Sequence, residues 1–342
     1  MQMKIRAIIL SNMQRTYSIM TLLVMGGLAV ILALSSEWYG GLWKGEKTAG
    51  VAESREREIH LLFAVDIMLS RSIGQLLQIK RDYLFPFRNT ATTTQAADIA
   101  FANLENPVST GGIRSGSIYS FKADPKALEG VKFGGFDVVS IANNHIWDYG
   151  KQAFNDTLGN LSKNGIVAVG GGANYTEAHS PKILTVGKTR FAFLAYTNLI
   201  AAFLGTASST PAVSRYNDKI LKADITHAKE LADFIIISFH WGDEYHTTHN
   251  VEQERIAKFV IDAGANLVVG HHPHVTQEVE RYKSGYIFYS LGNFIFDQNF
   301  SKDTEHGLTV EVTVKGSNIT NVRKREVTFN ADFQPHLTGE AW

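Results

Sequence analysis

The chain contains no cysteine. That absence excludes a disulfide-stapled scaffold, a cysteine-ligated zinc or iron–sulfur site and a thiol nucleophile. The chain also lacks an excess of charge of either sign, since Lys+Arg and Asp+Glu both number 33 among its 342 residues. Proteins that bind nucleic acid normally carry a basic excess, so no nucleic-acid partner is expected. Hydrophobic residues make up 44% of the chain, which excludes a disordered protein and indicates a substantial core.

One long run without any charged residue lies near the N-terminus, at residues 16–36. As a helix its 21 residues would span roughly 31 Å, about the thickness of the hydrocarbon core of a bilayer. The preceding residues 1–15 contain three basic and no acidic side chains, which favours the cytoplasmic side for that end. We therefore predict a single-pass cell-membrane anchor at 16–36, a cytoplasmic tail at 1–15 and an extracellular main domain. A signal peptide cleaved near residues 33–35 is the alternative.

The rest of the chain divides into a tether, one domain and a short tail. Residues 37–58 are Gly-containing and then charged, without an apolar period, and indicate a tether. Across 59–329, short apolar runs alternate with helical patterns, of which 251–264 is the clearest. This alternation predicts an α/β domain with a mixed, largely buried sheet, and we expect 330–342 to be a C-terminal tail. The predicted strands are 59–65, 99–103, 137–142, 166–170, 182–186, 190–196, 234–239, 266–270, 286–291 and 308–314.

Polar side chains that can bind metal follow these strands at their carboxyl ends, the edge at which ligands assemble in α/β sheets. They are Asp66, Asn103, Glu105, Asn143, Asn144, His145, His240, His271, His272, His274 and Asn293. Most of them, taken singly, also have a structural explanation: Asp66 as a helix cap, an asparagine as a turn former, or His240 as a core residue. Three imidazoles within 271–274, however, are costly to bury without a charged partner. Together the residues predict a metal site.

The donor types narrow the chemistry of this site. The predicted metal ligands are Asp66, Glu105, Asn144, His240, His272 and His274. Carboxylates, amide oxygens and imidazoles without thiolate suit Mn, Fe or Zn. A carboxylate shared by two divalent ions would give a two-metal site that activates water for attack on a phosphoester. The candidate catalytic residues are His145, which could protonate a leaving oxygen or bind phosphate, and His274.

A second group of residues is predicted to contact an anionic polymer or phosphoester substrate. Its members are Asn103, Asn143, Trp241, Glu244, His271 and Asn293. Core packing explains Trp241 equally well. The predicted cofactor is a divalent metal, with two ions expected if a carboxylate is shared.

Six segments of the chain resemble the poly-γ-glutamate capsule synthesis family of CapA type. They are DIMLSR (66–71), NLE (103–105), SIANNHIWDYG (140–150), FHWGDEY (239–245), GHHPHV (270–275) and YSLGNFIFDQ (289–298). That family is similar to calcineurin-like metallophosphoesterases, and the resemblance implies a four-layer αββα sandwich of metallophosphoesterase type, preceded by one transmembrane helix.

The resemblance also implies roles for particular residues. Asp66 stands in the first aspartate motif and Glu105 near the second, Asn144-His145 matches the Asn-His motif, His240 the isolated histidine, and His272-Pro273-His274 the final His-x-His. The chain departs from the pattern at Met68, where the Asp-x-His motif usually has its histidine. One imidazole ligand is therefore missing.

Three functions remain open at this point. The resemblance implies a membrane-anchored subunit of poly-γ-glutamate synthesis and export, with the bilayer and the synthase and export subunits as partners. The first alternative is a metal-dependent phosphoesterase or other hydrolase that acts on an envelope polymer or a lipid-linked phosphate. The second is a non-catalytic module that binds a polymer or a partner chain on the same fold.

Overall fold

The computed structural model describes residues 57–115, 117–201 and 210–341, which belong to one compact unit. The strands are β1 (Ile59–Ala64), β2 (Ile99–Asn103), β3 (Val138–Ser140), β4 (Val167–Val169), β5 (Gly171–Gly172), β6 (Lys182–Val186), β7 (Thr189–Thr197), β8 (Ala212–Val213), β9 (Phe234–His240), β10 (Leu267–His271), β11 (Val279–Tyr282), β12 (Gly285–Phe288), β13 (His306–Lys315), β14 (Asn318–Phe329) and β15 (Pro335–Ala341). The helices are α1 (Arg71–Lys80), α2 (Ala91–Thr94), α3 (Ala127–Phe133), α4 (Gly150–Lys163), α5 (Tyr175–His179), α6 (Asp218–Leu231) and α7 (Val251–Ala263). Short 3-10 turns lie at Phe85–Phe87 and Asp303–Glu305.

The predicted membrane anchor at 16–36 and the tail before it lie outside the described residues, as does nearly all of the tether. Within the described ranges, no helix combines the length and the apolar character needed to cross a membrane.

Two large mixed sheets form the framework. One sheet has seven strands in the order β15-β14-β13-β1-β2-β3-β4, and the other has six in the order β11-β12-β10-β9-β7-β6. Strands β1 to β4 run parallel, as do β7, β9, β10 and β12. The remaining neighbours in the two sheets pair antiparallel. The α/β class with a mixed, buried sheet, expected from the continuous apolar runs, is confirmed.

The two sheets face each other across a shared core. Phe101 of β2 stacks on Phe193 of β7, with ring centroids 6.0 Å apart and an interplanar angle of 8°, and both belong to one cluster of buried side chains. A second cluster lies between the six-stranded sheet and helices α6 and α7, where Ile225 and Val260 pack against the sheet. Because successive strand residues point to opposite faces, each central strand of the six-stranded sheet serves both cores.

Helix α7 follows the prediction closely, since its ends are encoded locally. Asn250 accepts hydrogen bonds from the amides of Glu252 and Gln253, while the Gln253 side chain accepts from the Asn250 amide, which makes a capping box. Gly264 ends the helix in the left-handed region, at φ 117°.

The C-terminal end of the domain differs from the expectation. The segment expected to be a tail, 330–342, contributes strand β15, which pairs antiparallel with β14. Neither strand has a continuous apolar run, because β14 is largely half-exposed and lies between β13 and β15 near the edge of the sheet. Main-chain hydrogen bonding, which leaves no hydrophobic signature in the sequence, therefore extends the folded unit beyond Phe329.

Candidate metal centre

The site lies where the two sheets bring the carboxyl ends of their parallel strands together. Asp66 lies two residues beyond the end of β1, Asn103 ends β2, and the Asn143-Asn144-His145 turn follows β3. From the other sheet, His240 ends β9 and His271 ends β10, directly opposite it in register. The structure thus gathers the predicted ligands in one place from segments more than 200 residues apart.

Two buried carboxylates form the floor of the site, and asparagines orient them. Asp66 and Glu105 are both 0% exposed. The Asn103 amide donates to Oδ1 of Asp66 at 2.8 Å and to Oε2 of Glu105 at 3.2 Å. Asn143 in turn donates to Oδ1 of Asn103 at 3.1 Å. Both asparagines, predicted to contact substrate, are fully buried and instead fix the carboxylates.

The imidazoles lie against these carboxylates. His240 Nε2 is 2.8 Å from Oδ1 of Asn144, and the rings of His240 and His272 have centroids 4.7 Å apart. His274 places Nδ1 3.4 Å from Oδ2 of Asp66 and Nε2 3.4 Å from Oε1 of Glu105. Its Nδ1 also lies 3.0 Å from Oδ1 of Asn293. Asn293, predicted to contact substrate, is buried and orients His274.

Burial and mutual charge set the protonation of these groups. Burial alone would raise the pKa of Asp66, but the hydrogen bond and charge of His274 hold it far below the usual value. Burial, together with the neighbouring Asp66 carboxylate, raises the pKa of Glu105 well above its usual 4.5. Burial lowers the pKa of His271 to about 4 and that of His272 to about 3. The His271 and His272 imidazoles are therefore neutral near pH 7, the form in which they can bind a cation.

The residues present fit a divalent ion. Oε1 of Glu105 and Nδ1 of His272 are buried and make no hydrogen bond, although buried polar atoms are normally paired. Among the described residues, donor atoms lie within 4.8 Å of one another in four sets: Asp66 with Glu105 and His274, Glu105 with His240 and His272, Asp66 with His240 and His271, and Glu244 with His272 and His274. A cation would satisfy both unpaired atoms, and the mix of oxygen and nitrogen donors suits Mn, Fe or Zn.

Three of these residues have a strained backbone conformation. Asp66, His272 and His274 all have positive φ values, of 31°, 101° and 57°. Non-glycine residues held in such conformations typically cost about 1–3 kcal/mol each and cluster at functional sites. Gly270, one residue before His271, is required for close approach, since a Cβ there would lie 2.0 Å from the main-chain oxygen of Tyr289.

His145 lies at the side of the cluster, in an oriented position. Its Nδ1 is 2.8 Å from Oδ2 of Asp148, and its ring stacks on Phe121 with centroids 4.0 Å apart. The same Asp148 oxygen accepts from the Phe121 amide at 2.7 Å, so the Asp148 carboxylate is itself fixed. A carboxylate that holds one ring nitrogen leaves the other free for proton transfer.

The other three residues predicted to contact substrate lie in different environments. Trp241 is 1% exposed, stacks on Phe239 at 4.6 Å and donates its indole N–H to the Tyr289 carbonyl, so it packs in the second core, the alternative that the sequence left equally open. His271 is fully buried behind His240 instead of facing substrate. Glu244 is exposed, and one of its carboxylate oxygens lies within 4.8 Å of ring nitrogens of His272 and His274.

Two further residues bear on the site: Ser238, which was not predicted to be part of it, and Met68, which occupies the place of the missing histidine. Ser238 donates to or accepts from His271 Nε2 at 2.7 Å, and its only signal in the sequence is that it is the single polar residue in the run 234–239. Met68, at the place of the missing histidine, is buried and accepts a hydrogen bond at Sδ from the Ser70 amide, at 3.1 Å. It therefore lies in the core and leaves that ligand position unfilled.

Comparison with known proteins assigns the family. Residues 60–298 match the family described as Bacterial capsule synthesis protein PGA_cap. The chain is similar to the capsule biosynthesis protein CapA of Bacillus anthracis, with 31% identity over 290 residues that cover 82% of this chain and 69% of that one. It is also similar to the PGA biosynthesis protein CapA of Bacillus subtilis, with 31% identity over 272 residues that cover 78% and 71% of the two chains.

Solved structures are more distant. The calcineurin-like phosphoesterase YfkN from Bacillus subtilis is 11% identical and covers 83% of this chain and 93% of its own, with a TM-score of 0.45. The chain spans 53% to 56% of the longer nucleotidase chains that also align with it. On the sequence matches, which cover most of its length, the chain belongs to the bacterial capsule synthesis protein family PGA_cap.

Proposed function

We propose that this protein is a membrane-anchored, extracellular subunit of poly-γ-glutamate capsule synthesis and export whose domain binds divalent metal ions. Membership of the family and the names of the two CapA relatives support the part in capsule synthesis. The observation that carries the metal site is the pair of buried atoms that make no hydrogen bond, Oε1 of Glu105 and Nδ1 of His272. The proposed architecture is the four-layer αββα sandwich of metallophosphoesterase type, which two facing sheets with helices against the six-stranded one support.

The residues of the site divide the chemical work among them. Asp66, Glu105, Asn144, His240, His272 and His274 would hold the metal. When bound, a Mn, Fe or Zn ion would supply positive charge that polarises a phosphoester or carbonyl group and activates water. His145, fixed by Asp148, would hold or give a proton at Nε2, since its Nδ1 faces the carboxylate. The buried asparagines Asn103, Asn143 and Asn293 keep the ligands in place.

The second candidate is a hydrolase that acts on an envelope polymer or a lipid-linked phosphate. The pairing of His145 with Asp148 beside the ligand cluster favours it, because a structural metal site has no need of an oriented proton donor. A module that binds a polymer or a partner chain without catalysis would have no need of His145 as a proton donor.

Metal analysis and turnover separate these possibilities. We expect detergent-purified full-length protein to contain one or two transition-metal ions per chain and His272→Ala to lose metal. His227→Ala, at an exposed imidazole of α6, is the control and should keep it. Hydrolysis of a generic phosphodiester, abolished by His145→Ala with metal retained, would establish the hydrolase. Metal without turnover would favour binding, and folded wild-type protein without affinity for any of the three metals would refute the site.

The absence of cysteine makes the topology directly testable. Gly159 lies on the exposed face of α4 with open space around its Cβ position, and Ser11 lies in the predicted cytoplasmic tail. In intact cells, a membrane-impermeant maleimide should label Gly159→Cys but label Ser11→Cys only after lysis. Labelling of both, or of neither, in intact cells would refute the proposed orientation. Loss of surface poly-γ-glutamate on deletion of the gene, restored by the gene in trans, tests the partnership with the synthase and export subunits.

A further inference from the structure

We propose that Ser238 and His271 are positioning residues that determine which ring nitrogen of His240 is available to bind metal. The three side chains form one hydrogen-bonded chain that ends at Asn144. Ser238 Oγ lies 2.7 Å from His271 Nε2, His271 Nδ1 lies 2.7 Å from His240 Nδ1, and His240 Nε2 lies 2.8 Å from Asn144 Oδ1. The inference rests on the metal centre proposed above.

The strand geometry builds this chain. Ser238 and His240 are two residues apart on β9, so both point to the same face of the sheet. His271 lies opposite His240 on the adjacent strand β10, and Val269 lies opposite Ser238. The side chains of Ser238, His240 and His271 are all 0% exposed. Because they are shielded from water, each ring nitrogen depends on a protein partner for its hydrogen bond.

The identity of the last acceptor fixes the direction of the hydrogen bonds when no metal is bound. Oδ1 of Asn144 can only accept, so His240 carries its proton on Nε2. Its Nδ1 then accepts from Nδ1–H of His271, and Nε2 of His271 accepts from the Ser238 hydroxyl. In this arrangement Nε2 of His240, the nitrogen that faces the predicted ligand Asn144, has no free lone pair.

Metal binding requires the opposite direction. A metal bound by Nε2 of His240 leaves the proton of that ring on Nδ1, which must then donate to Nδ1 of His271. His271 consequently carries its proton on Nε2 and donates to Ser238 Oγ. The proton of His240 would thus be on Nδ1 instead of Nε2, and the proton of His271 on Nε2 instead of Nδ1, so that neither imidazole changes its charge. A hydroxyl group suits the end of such a chain because it can donate or accept.

Replacement of Ser238 should therefore weaken metal binding without touching a ligand. In Ser238→Ala, the metal-binding arrangement would leave a buried N–H of His271 with no acceptor, whereas the other arrangement would leave only a nitrogen lone pair with no donor. Because an orphaned buried N–H is the less tolerated of the two, the other arrangement is favoured. We expect the affinity of full-length protein for Zn²⁺, measured by competition with a chelating dye, to fall about 10–100-fold, as for other residues that orient metal ligands. Ser238→Thr, which keeps the hydroxyl, should restore most of the affinity.

A matched control and a spectroscopic measurement complete the test. Ser214 is also a buried serine, but its hydroxyl donates to the carbonyl of Ala178, so Ser214→Ala should bind Zn²⁺ as wild type does. In protein labelled with ¹⁵N-histidine, Zn²⁺ should move the His271 proton from Nδ1 to Nε2. Unchanged Zn²⁺ affinity in Ser238→Ala, or direct coordination of zinc by His271, would overturn the inference alone. A wild-type protein that binds no zinc would overturn the metal centre as well.

Discussion

Replacement of Glu105 by glutamine is expected to stabilise the metal-free protein and to weaken its binding of divalent ions. Glu105 is fully buried beside the Asp66 carboxylate, and burial together with that charge raises its pKa well above 4.5. The folded chain therefore keeps this proton at pH values at which the unfolded chain has lost it. Stability consequently falls as pH rises from 4.5 towards the folded pKa.

The size of the effect follows from this linkage. Each pH unit above 4.5 over which the folded carboxyl stays protonated removes about 1.4 kcal/mol of unfolding free energy. At pH 6.5 the gain from Glu105→Gln can thus reach, but not exceed, about 3 kcal/mol. Glutamine keeps an oxygen that can accept from Asn103, and its neutral amide needs no proton. With metal present the substitution is expected to destabilise the protein instead, because a bound cation is stabilised by the Glu105 carboxylate and Glu105→Gln removes that charged ligand.

Urea unfolding in the presence of a chelator between about pH 5 and 7.5 tests the stability of the metal-free protein. Titration with Zn²⁺ tests its affinity for metal. Glu105→Gln should be more stable than wild type near neutral pH, with a flatter pH profile, and should bind Zn²⁺ more weakly by more than about tenfold. Asp137→Asn is the control, because burial also raises the pKa of Asp137. Its carboxylate accepts a hydrogen bond from the Ala100 amide at 2.9 Å and belongs to none of the donor sets. It should leave Zn²⁺ affinity unchanged. Destabilisation of metal-free Glu105→Gln at pH 7, or wild-type affinity for zinc, would refute the reasoning.

Three further predictions concern packing and protons. Phe101→Ala, which removes a ring from between the two sheets, should lower the unfolding free energy by about 3–5 kcal/mol in urea, whereas Phe300→Ala at an exposed position should change it by no more than about 0.5 kcal/mol. Gly270→Ala should disturb the end of β10 and abolish Zn²⁺ binding, because the added Cβ meets main-chain oxygen of Tyr289 at 2.0 Å; wild-type zinc titration by this variant would contradict it. Zinc binding by the wild-type protein, measured by calorimetry in buffers of different ionisation enthalpy, should release more protons than zinc binding by Glu105→Gln, and the difference should grow as the pH falls below the raised pKa of Glu105.

Much of the fold could be predicted because the buried parallel strands have a strong sequence signal. Each of the ten predicted strands overlaps an observed one, and the helix at 251–264 is observed at Val251–Ala263. Strands β14 and β15 escaped prediction because half-exposed strands near a sheet edge carry no continuous apolar run. Strand β14 depends on main-chain pairing with β13, and β15 depends on pairing with β14, which a local pattern does not encode.

The gathering of the ligand candidates was also predictable, because parallel strands deliver the residues at their carboxyl ends to one edge. The structure brings Asp66, Glu105, Asn144, His240 and His272 together, and their roles as ligands stay predictions. The division between ligands and supporting residues was not predictable. Several residues expected to contact substrate are buried hydrogen-bonding partners of the ligands, which only the tertiary arrangement reveals, and their contact with substrate stays a prediction. Core packing of Trp241, which directly follows β9, was one of the two alternatives that the sequence left open.

The gap at Met68 has a consequence for the number of ions. Its thioether accepts from the Ser70 amide in the core, so no imidazole joins Asp66 from that position. Two of the four donor sets include Glu105, and they are unequal: one has two carboxylates and one imidazole, and the other has one carboxylate and two imidazoles. Nitrogen donors favour zinc-like ions, and oxygen donors favour manganese-like ones. We expect the set with His240 and His272 to bind the first zinc ion, and a second ion to bind only as long as Glu105 can be shared.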